Sequence, residues 1–147
     1  MRIEKLMNRF PATCGPDETL SEAEQKMQNS NCAFLPVTAE DASQRLVGVI
    51  TEGDISMATQ LRGRSLEEIR VRDAMAEEVC TCNPEDSLVK AELTMQKAGI
   101  RCLPVVDQSG CLLGVLSLAA LPYEAERKVL GAQISAAHCG PAASHIP

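Results

Sequence analysis

The sequence predicts a mixed α/β (α+β) fold made of two copies of one β-α-β-β-α unit, and two observations indicate the duplication. The segment Pro16–Leu20 recurs as Pro84–Leu88 at an offset of 68 residues. The apolar run at 46–51 recurs at 112–117 at an offset of 66. Two matched blocks, separated by a polar loop that differs by two residues, are typical of a duplicated structural unit.

Each unit carries the signals of two helices and three strands. Thr19 and Ser87 precede apolar residues at helical spacing and are predicted N-caps, and Glu22 completes a capping box with Thr19. Thr51 and Ser117 are predicted to cap the second helix of each unit. The predicted strands are 12–14, 33–37 and 46–50 in the first unit and 79–82, 102–106 and 112–116 in the second.

The repeat divides the chain into a first unit at 1–64, a second unit at 65–130 and a C-terminal tail at 131–147. Ser65 opens a short helical turn with a capping-box pattern, and Val71–Met75 then leads into the second unit. One three-stranded unit would expose a large apolar face, so the two units are expected to pack into one body. The tail is rich in Ala, Gly, Ser and Pro and is expected to be poorly ordered.

The composition excludes several classes of partner. A net charge of −6 argues against a nucleic-acid backbone or an anionic membrane, since both favour clustered Lys and Arg. The sequence has no apolar run of the roughly 20 residues that span a bilayer. Its first residues lead into no signal-like apolar segment, so a cytoplasmic location is expected. With two Phe, one Tyr and no Trp, both the core and any base-binding pocket must be aliphatic.

The seven cysteines are interpreted as small buried hydrophobic residues of a reducing compartment. Cys80 and Cys82 would nevertheless share one face of a strand, where Cys102 or Cys111 could join them, so a metal or thiol redox site stays open as an alternative. Both histidines lie in the tail, and the folded part carries no nucleophile with a matching base and orienting group. We therefore expect a protein that is not an enzyme.

Three repeated features together resemble a tandem cystathionine-β-synthase-type (CBS) domain pair, also called a Bateman module, over about residues 1–125. They are the Leu-Pro-Val runs at 35–37 and 103–105, the Gly-Val-Ile/Leu-Thr/Ser segments, and the lead-in Val71–Met75. The resemblance implies two units about a pseudo-twofold axis, two clefts, and a homodimer of pairs. It also implies a stand-alone regulatory module that binds AMP, ADP, ATP or S-adenosylmethionine, needs no resident cofactor, and regulates an unknown partner protein.

The resemblance places a ribose site at Gly48–Asp54, where the family pattern Gly-h-h-Thr/Ser-x-x-Asp is complete. Thr51 at a helix start and Asp54 one turn later would lie on one face, and the carboxylate could accept hydrogen bonds from two ribose hydroxyls. The helix N-terminus would also favour an anion. The same pair is also typical of an ordinary helix cap, and both interpretations stay open.

The resemblance also implies that the second unit completes this cleft. Val79 and Ile100, together with Ile50, would cover the faces of the adenine. Arg101 would bind the phosphate, because its planar guanidinium matches phosphate oxygens. The alternatives are plain core packing for the three apolar residues and a solvated strand end for Arg101.

The second signature departs from the family pattern. Ser117 is kept, but Ala120 stands where the ribose carboxylate would be. A lost charge-assisted hydrogen bond is worth about 1.5–3 kcal/mol, or roughly a tenfold to hundredfold loss of affinity. We therefore predict one competent cleft and one degenerate cleft. The leading hypothesis is a sensor of adenosyl ligands, the alternative is a ligand-free dimerisation or assembly module, and a weaker one is a thiol redox or metal sensor.

Overall fold

The computed structural model describes residues 2–118 and the backbone of a short strand at 139–141. The helices are α1 (Leu20–Ser30), α2 (Glu52–Arg62) and α3 (Leu88–Ala98). The strands are β1 (Phe34–Thr38), β2 (Leu46–Thr51), β3 (Glu78–Cys80), β4 (Cys102–Val106), β5 (Leu112–Ser117) and β6 (Cys139–Pro141). Ala120, the helix expected after Ser117, both histidines and the rest of the predicted tail lie outside the described residues. Within the described part, no helix is long and apolar enough to cross a bilayer.

The two hairpins confirm the predicted duplication and the mixed helix and strand fold. β1 pairs antiparallel with β2, and β4 pairs antiparallel with β5. The registers are equivalent, since Leu35 lies opposite Ile50 and Leu103 lies opposite Leu116. Both hairpins also shift register at the same place, before the last pair. The bounds of these four strands agree with the predicted ones to within one residue.

The helix caps form where the sequence predicts them. Thr19 Oγ1 accepts a hydrogen bond from the Glu22 N–H at 3.2 Å, and Glu22 Oε1 accepts one from the Thr19 N–H at 2.9 Å. Ser87 Oγ accepts from the Lys90 N–H at 3.2 Å. The faces that α1 and α3 bury in the two cores include the predicted residues Leu20, Ala23 and Met27 and their counterparts Leu88, Ala91 and Met95.

The strands predicted at 12–14 and 79–82 are wrong in extent. Cys14 makes only a single parallel bridge to Val37, and Cys82 makes the equivalent bridge to Val105. Prolines flank these segments, and proline has no N–H with which to continue a ladder. The extended backbone before Cys82 is β3, which pairs with β6 instead of joining the hairpin.

The lead-in segments at the start of the two units, residues 3–8 and 71–76, are exchanged between the two cores. The Ile3 N–H donates to the Asp86 carbonyl at 3.1 Å, and the Val71 N–H donates to the Glu18 carbonyl at 2.8 Å. Ile3 and Met7 are buried in the core of the second unit, whereas Val71 is buried in the core of the first. The boundary at 64/65 follows the repeat and remains a prediction. In the structure, each lead-in segment packs in the core of the other unit.

Two glycines allow these lead-in segments to lie against the hairpins. The strand residue after each glycine exchanges two backbone hydrogen bonds of 2.8–3.0 Å with a lead-in segment. A Cβ atom on Gly48 would lie 2.7 Å from the carbonyl oxygen of Ala76, and one on Gly114 would lie 2.5 Å from that of Asn8. The repeated Gly-Val pair in the sequence is therefore explained by a close backbone approach that excludes any side chain.

The two units meet through their hairpin ends and a small apolar cluster. The Leu46 N–H donates to the Gly110 carbonyl at 3.0 Å, and the Leu112 N–H donates to the Gln44 carbonyl at 2.9 Å. These two bonds are related by the pseudo-twofold axis. An inter-unit cluster of buried residues lies beside them, and it consists of Leu46, Val79, Val106 and Leu112, with Val49 packed against it. The units thus form one body, as predicted.

We expect Gly114→Ala to lower the free energy of unfolding by about 1–3 kcal/mol, the usual cost of forcing extra volume into a packed site. The added Cβ would meet the rigid backbone carbonyl of Asn8. Gly53→Ala is the matched control, because its Cβ would lie 3.7 Å from Thr51 Oγ1, which is an ordinary contact. Urea denaturation measures both. Equal stability of the two variants would show that the close approach is not needed.

Candidate functional site

Thr51 and Asp54 form a capping box at the junction of β2 and α2. Thr51 Oγ1 accepts from the Asp54 N–H at 3.2 Å, and Asp54 Oδ2 accepts from the Thr51 N–H at 3.0 Å. Both residues are half-buried. The structure therefore shows the helix-cap interpretation directly. It also leaves Asp54 Oδ1 without a hydrogen bond from residues 2–118, held in a fixed position where a ligand hydroxyl could donate to it.

The N-terminus of α2 offers less to an anion than the sequence suggested. The Glu52 N–H already donates to the Ala33 carbonyl at 3.1 Å, and the Asp54 N–H is held by Thr51. Of the first three N–H groups, only that of Gly53 has no acceptor among residues 2–118. Two acidic side chains also stand in this first turn. The geometry suits a ribose, which donates hydrogen bonds, better than a phosphate.

β2 presents alternate residues to its two faces, and this separates Ile50 from Thr51. Ile50 is fully buried in the core of the first unit. Val49 lies two residues before Thr51 and shares its face, and it packs against the inter-unit cluster. Val49 is thus the apolar neighbour of the Thr51 side chain, and the core-packing interpretation fits Ile50. Residues i and i+2 of a strand share a face, and this periodicity is the sequence signal that could have identified Val49 as a neighbour of Thr51.

The three residues predicted to come from the second unit lie in different surroundings. Val79 is buried in the inter-unit cluster, against which Val49 also packs. Ile100 is half-buried against the core of the second unit. Arg101 is exposed, and its carbonyl accepts from the Leu118 N–H at 2.7 Å, which places it beside the end of β5.

The structure therefore brings only part of the predicted site together. Thr51 and Asp54 contact each other directly, and Val79 shares a cluster with Val49, the neighbour of Thr51 on β2. No hydrogen bond or ion pair among residues 2–118 joins Arg101 to Asp54. Arg101 consequently remains a sequence-based prediction for the phosphate.

The second predicted cleft carries thiols that the sequence analysis did not assign to it. The Cα atoms of Cys102 and Ser117 are partners in the β4–β5 hairpin. Burial raises the pKa of Cys102, nearby Cys32 raises it further, and a side-chain hydrogen bond with Ser117 lowers it in part. The Cys32 thiol donates to the Phe34 carbonyl at 3.1 Å. The Ser117 hydroxyl is thus engaged by a thiol, which adds to the predicted difference between the clefts.

Two of the remaining described cysteines depart from the prediction: Cys80 is bonded, and Cys111 is free but only half-buried, as are Cys32 and Cys102. Cys14 and Cys82 are free and buried as expected, and burial raises the pKa of each thiol to about 12. Cys80 is disulfide-bonded, which corrects the interpretation of all seven as free thiols. Residues 2–118 contain no group of three or more His, Cys, Asp or Glu side chains arranged to hold a metal ion. The metal alternative therefore has no support in this part of the chain.

A polar cavity of about 290 Å³ lies on the first unit, apart from the predicted site. Its walls include Cys14, Glu18, Lys26 and Glu40. The Lys26 ammonium is 2.9 Å from both the Glu18 carboxylate and the Thr13 carbonyl oxygen. Its charge is therefore neutralised within the protein. None of the predicted site residues lines this cavity, and we assign it no ligand.

Comparison with known proteins identifies the repeat. A model of the CBS domain family matches residues 3–60 and 71–121. The CBS domain-containing protein YhcV of Bacillus subtilis is 33% identical over 119 residues, which is 81% of each chain. Homoserine O-acetyltransferases of Methanococcus vannielii and Methanohalophilus mahii are 32% and 40% identical over 115 and 117 residues. The chain spans only 23% of the length of either acetyltransferase.

Solved structures share the fold. A CBS domain protein from Pyrobaculum aerophilum complexed with AMP is 25% identical, with a TM-score of 0.75, over 90% of this chain and all of that one. Hypoxic Response Protein I with two coordinated zinc ions is 23% identical, with a TM-score of 0.73, over 83% of this chain and all of that one. The second likeness concerns the fold alone.

We expect Cys14 and Cys82 to be alkylated far more slowly than half-buried Cys111. The thiolate is the reactive form, and a thiol with a pKa of about 12 is deprotonated in only about one molecule in 10⁴ at pH 8. Mass spectrometry after timed exposure to iodoacetamide measures the three rates. In urea the rates should converge. Equal rates in the native protein would contradict the burial of these thiols.

Proposed function

Since this chain belongs to the CBS domain family, we propose that it is a regulatory module that binds an adenine nucleotide or another adenosyl compound at Thr51 and Asp54. The observation that carries the proposal is the Asp54 carboxylate, which is fixed by its cap and keeps one oxygen for a ligand. The AMP complex of the Pyrobaculum aerophilum protein makes AMP the first ligand to test. ADP, ATP and S-adenosylmethionine follow.

In this proposal the ribose donates to Asp54 Oδ1, and the adenine lies against Val49 and Val79. The charge-assisted hydrogen bond would contribute about 1.5–3 kcal/mol. An aliphatic pocket is the one that the composition permits, since aromatic side chains are nearly absent. Asp54 and Val79 come from different units, so a ligand that contacts both would favour one arrangement of the two units over another. The equilibrium between the two arrangements would shift only by as much as the ligand's affinities for them differ.

We propose a binding role without catalysis. The groups that the site offers are a hydroxyl and a carboxylate that bond to each other's backbone N–H, and this arrangement fixes them for recognition. The acetyltransferase activity named for the longer relatives is attributed to no residue of this chain. The module would act on an associated protein that is still to be identified, and a cytoplasmic location remains part of the proposal.

We further propose that two copies associate through α2. Met57 and Leu61 lie one turn apart on this helix and are 62% and 79% exposed. Ile55 and Ala58 fill its buried face. This exposed apolar pair also favours the second candidate function, an assembly module that works through its dimer surface without a ligand. The two functions differ in whether the Asp54 site is occupied.

AMP is expected to raise the thermal stability of the protein, by about 2.7 kcal/mol at 100 times its Kd. Asp54→Ala should abolish this increase because it removes the ribose acceptor. Glu22→Ala is the matched control: it removes the acid from the other capping box and should keep the effect of AMP. Ser117→Ala should keep it too. If AMP, ADP, ATP, S-adenosylmethionine and NAD all leave the melting curve unchanged at millimolar concentration, the ligand proposal fails and the assembly module stands.

Replacing both Met57 and Leu61 by Asp is expected to convert the dimer to a monomer, because charges on an apolar contact face cannot be buried without a partner. Gln60→Asp is the control, since it adds charge to the same exposed helix but removes no apolar surface. Size-exclusion chromatography with light scattering measures the mass of each. A monomeric wild-type protein, or dissociation by Gln60→Asp as well, would contradict the assignment of this face.

A further inference from the structure

The short strand β6 lies along β3, in the part of the molecule where Val79 stands. The register places Pro141 opposite Glu78, Gly140 opposite Val79, and Cys139 opposite Cys80. Cys80 is disulfide-bonded, whereas the other five cysteines among residues 2–118 are free. Directly opposed residues of an antiparallel pair have Cα atoms about 4.5–5.5 Å apart. A disulfide requires a separation of about 4.4–6.8 Å.

We propose that a disulfide between Cys80 and Cys139 fastens β6 to β3, and that the redox state of this pair controls ligand binding at the neighbouring Val79. The fastening follows from the register and from the bonded state of Cys80. The control of ligand binding rests on the function proposed above, in which Val79 covers the adenine.

The covalent bond decides whether β6 stays in place. A three-residue strand forms few backbone hydrogen bonds, and their net contribution is small compared with the entropy lost when the chain is ordered. A disulfide lowers this entropy cost, because it restricts the conformations of the chain even when β6 is not paired with β3. When the bond is reduced, β6 is expected to leave and the edge of β3 to become free.

The position of β6 explains why its release would matter for a ligand. Val79 is the middle residue of β3, it is 3% exposed, and it packs in the inter-unit cluster. Pairing with β6 along the whole of β3 would hold the strand where Val79 is buried and so oppose the shift that an adenine beside Val49 requires. With β6 released, residues 78–80 keep no strand partner on that edge among those that the structure describes. The oxidised protein is therefore the form with low affinity.

The chemistry is thiol–disulfide exchange. One cysteine thiolate attacks a small disulfide, such as oxidised glutathione, and releases one thiol from it. The second cysteine thiolate then attacks the mixed disulfide and releases the other. The protein gives up two electrons and two protons, and the small disulfide becomes two thiols. A dithiol reverses both steps. Reducing compartments keep such pairs open, so the bond would report oxidising conditions.

The test uses the full chain, oxidised with oxidised glutathione or reduced with dithiothreitol. Non-reducing peptide mapping is expected to find Cys80 linked to Cys139 only after oxidation, and hydrogen exchange of residues 78–80 is expected to be slower in that form. In calorimetry, the Kd of AMP should be at least about tenfold higher for the oxidised protein than for the reduced protein. Cys139→Ser should bind AMP like the reduced wild type under both conditions, while Cys111→Ser, which removes a free thiol, should behave like the wild type.

A link from Cys80 to any other cysteine, or equal exchange of residues 78–80 in both forms, would overturn the fastening of β6. Equal AMP affinity of the two forms would overturn the control of ligand binding. If AMP binds to neither form, the proposed function fails instead. In that case the peptide map and the exchange rates still decide whether the disulfide holds β6.

Discussion

The close approach of the lead-in backbone at Gly48, repeated at Gly114, is the constraint on which the rest of the structure depends. The approach at Gly48 fixes Ala76 against β2. Val79 follows Ala76 by three residues, and Thr51 follows Gly48 by three residues. The candidate ligand acceptor and its apolar partner from the second unit are therefore positioned by one backbone contact. A side chain at Gly48 would push the Ala76 backbone away from β2 beside the candidate site, and one at Gly114 would do the same to Asn8 at the second hairpin.

The scaffold is symmetric, but the chemistry placed on it is not. Both hairpins, both exchanged segments and both inter-unit hydrogen bonds follow the repeat. The first unit adds a capping carboxylate at Asp54, whereas the second has Ala120 at the equivalent position and pairs its Ser117 with Cys102. The two units thus share one backbone frame, and differences at a few positions give its two halves different surfaces.

Local signals predicted most of the fold and less of the site. The caps at Thr19 and Ser87 and the hairpin strands depend on neighbouring residues, so a single copy of the repeat suffices to find them. The exchange of lead-in segments depends on long-range packing. Because the two segments resemble each other, a duplicated sequence fits two arrangements equally well. Each segment could pack in the unit that it begins or in the other unit. The pairing of β3 with β6 lacks any local signal, and so does the bonded state of Cys80.

The exchanged packing also sets the order in which the chain can fold during synthesis. Residues 3–7 are synthesised long before Leu116, yet both belong to the core of the second unit. The first unit, by contrast, is complete once residue 76 has emerged. While residues 8–115 are being made, the core around the apolar Ile3 and Met7 therefore stays incomplete. The second unit can close only around a segment that was made well before its own strands.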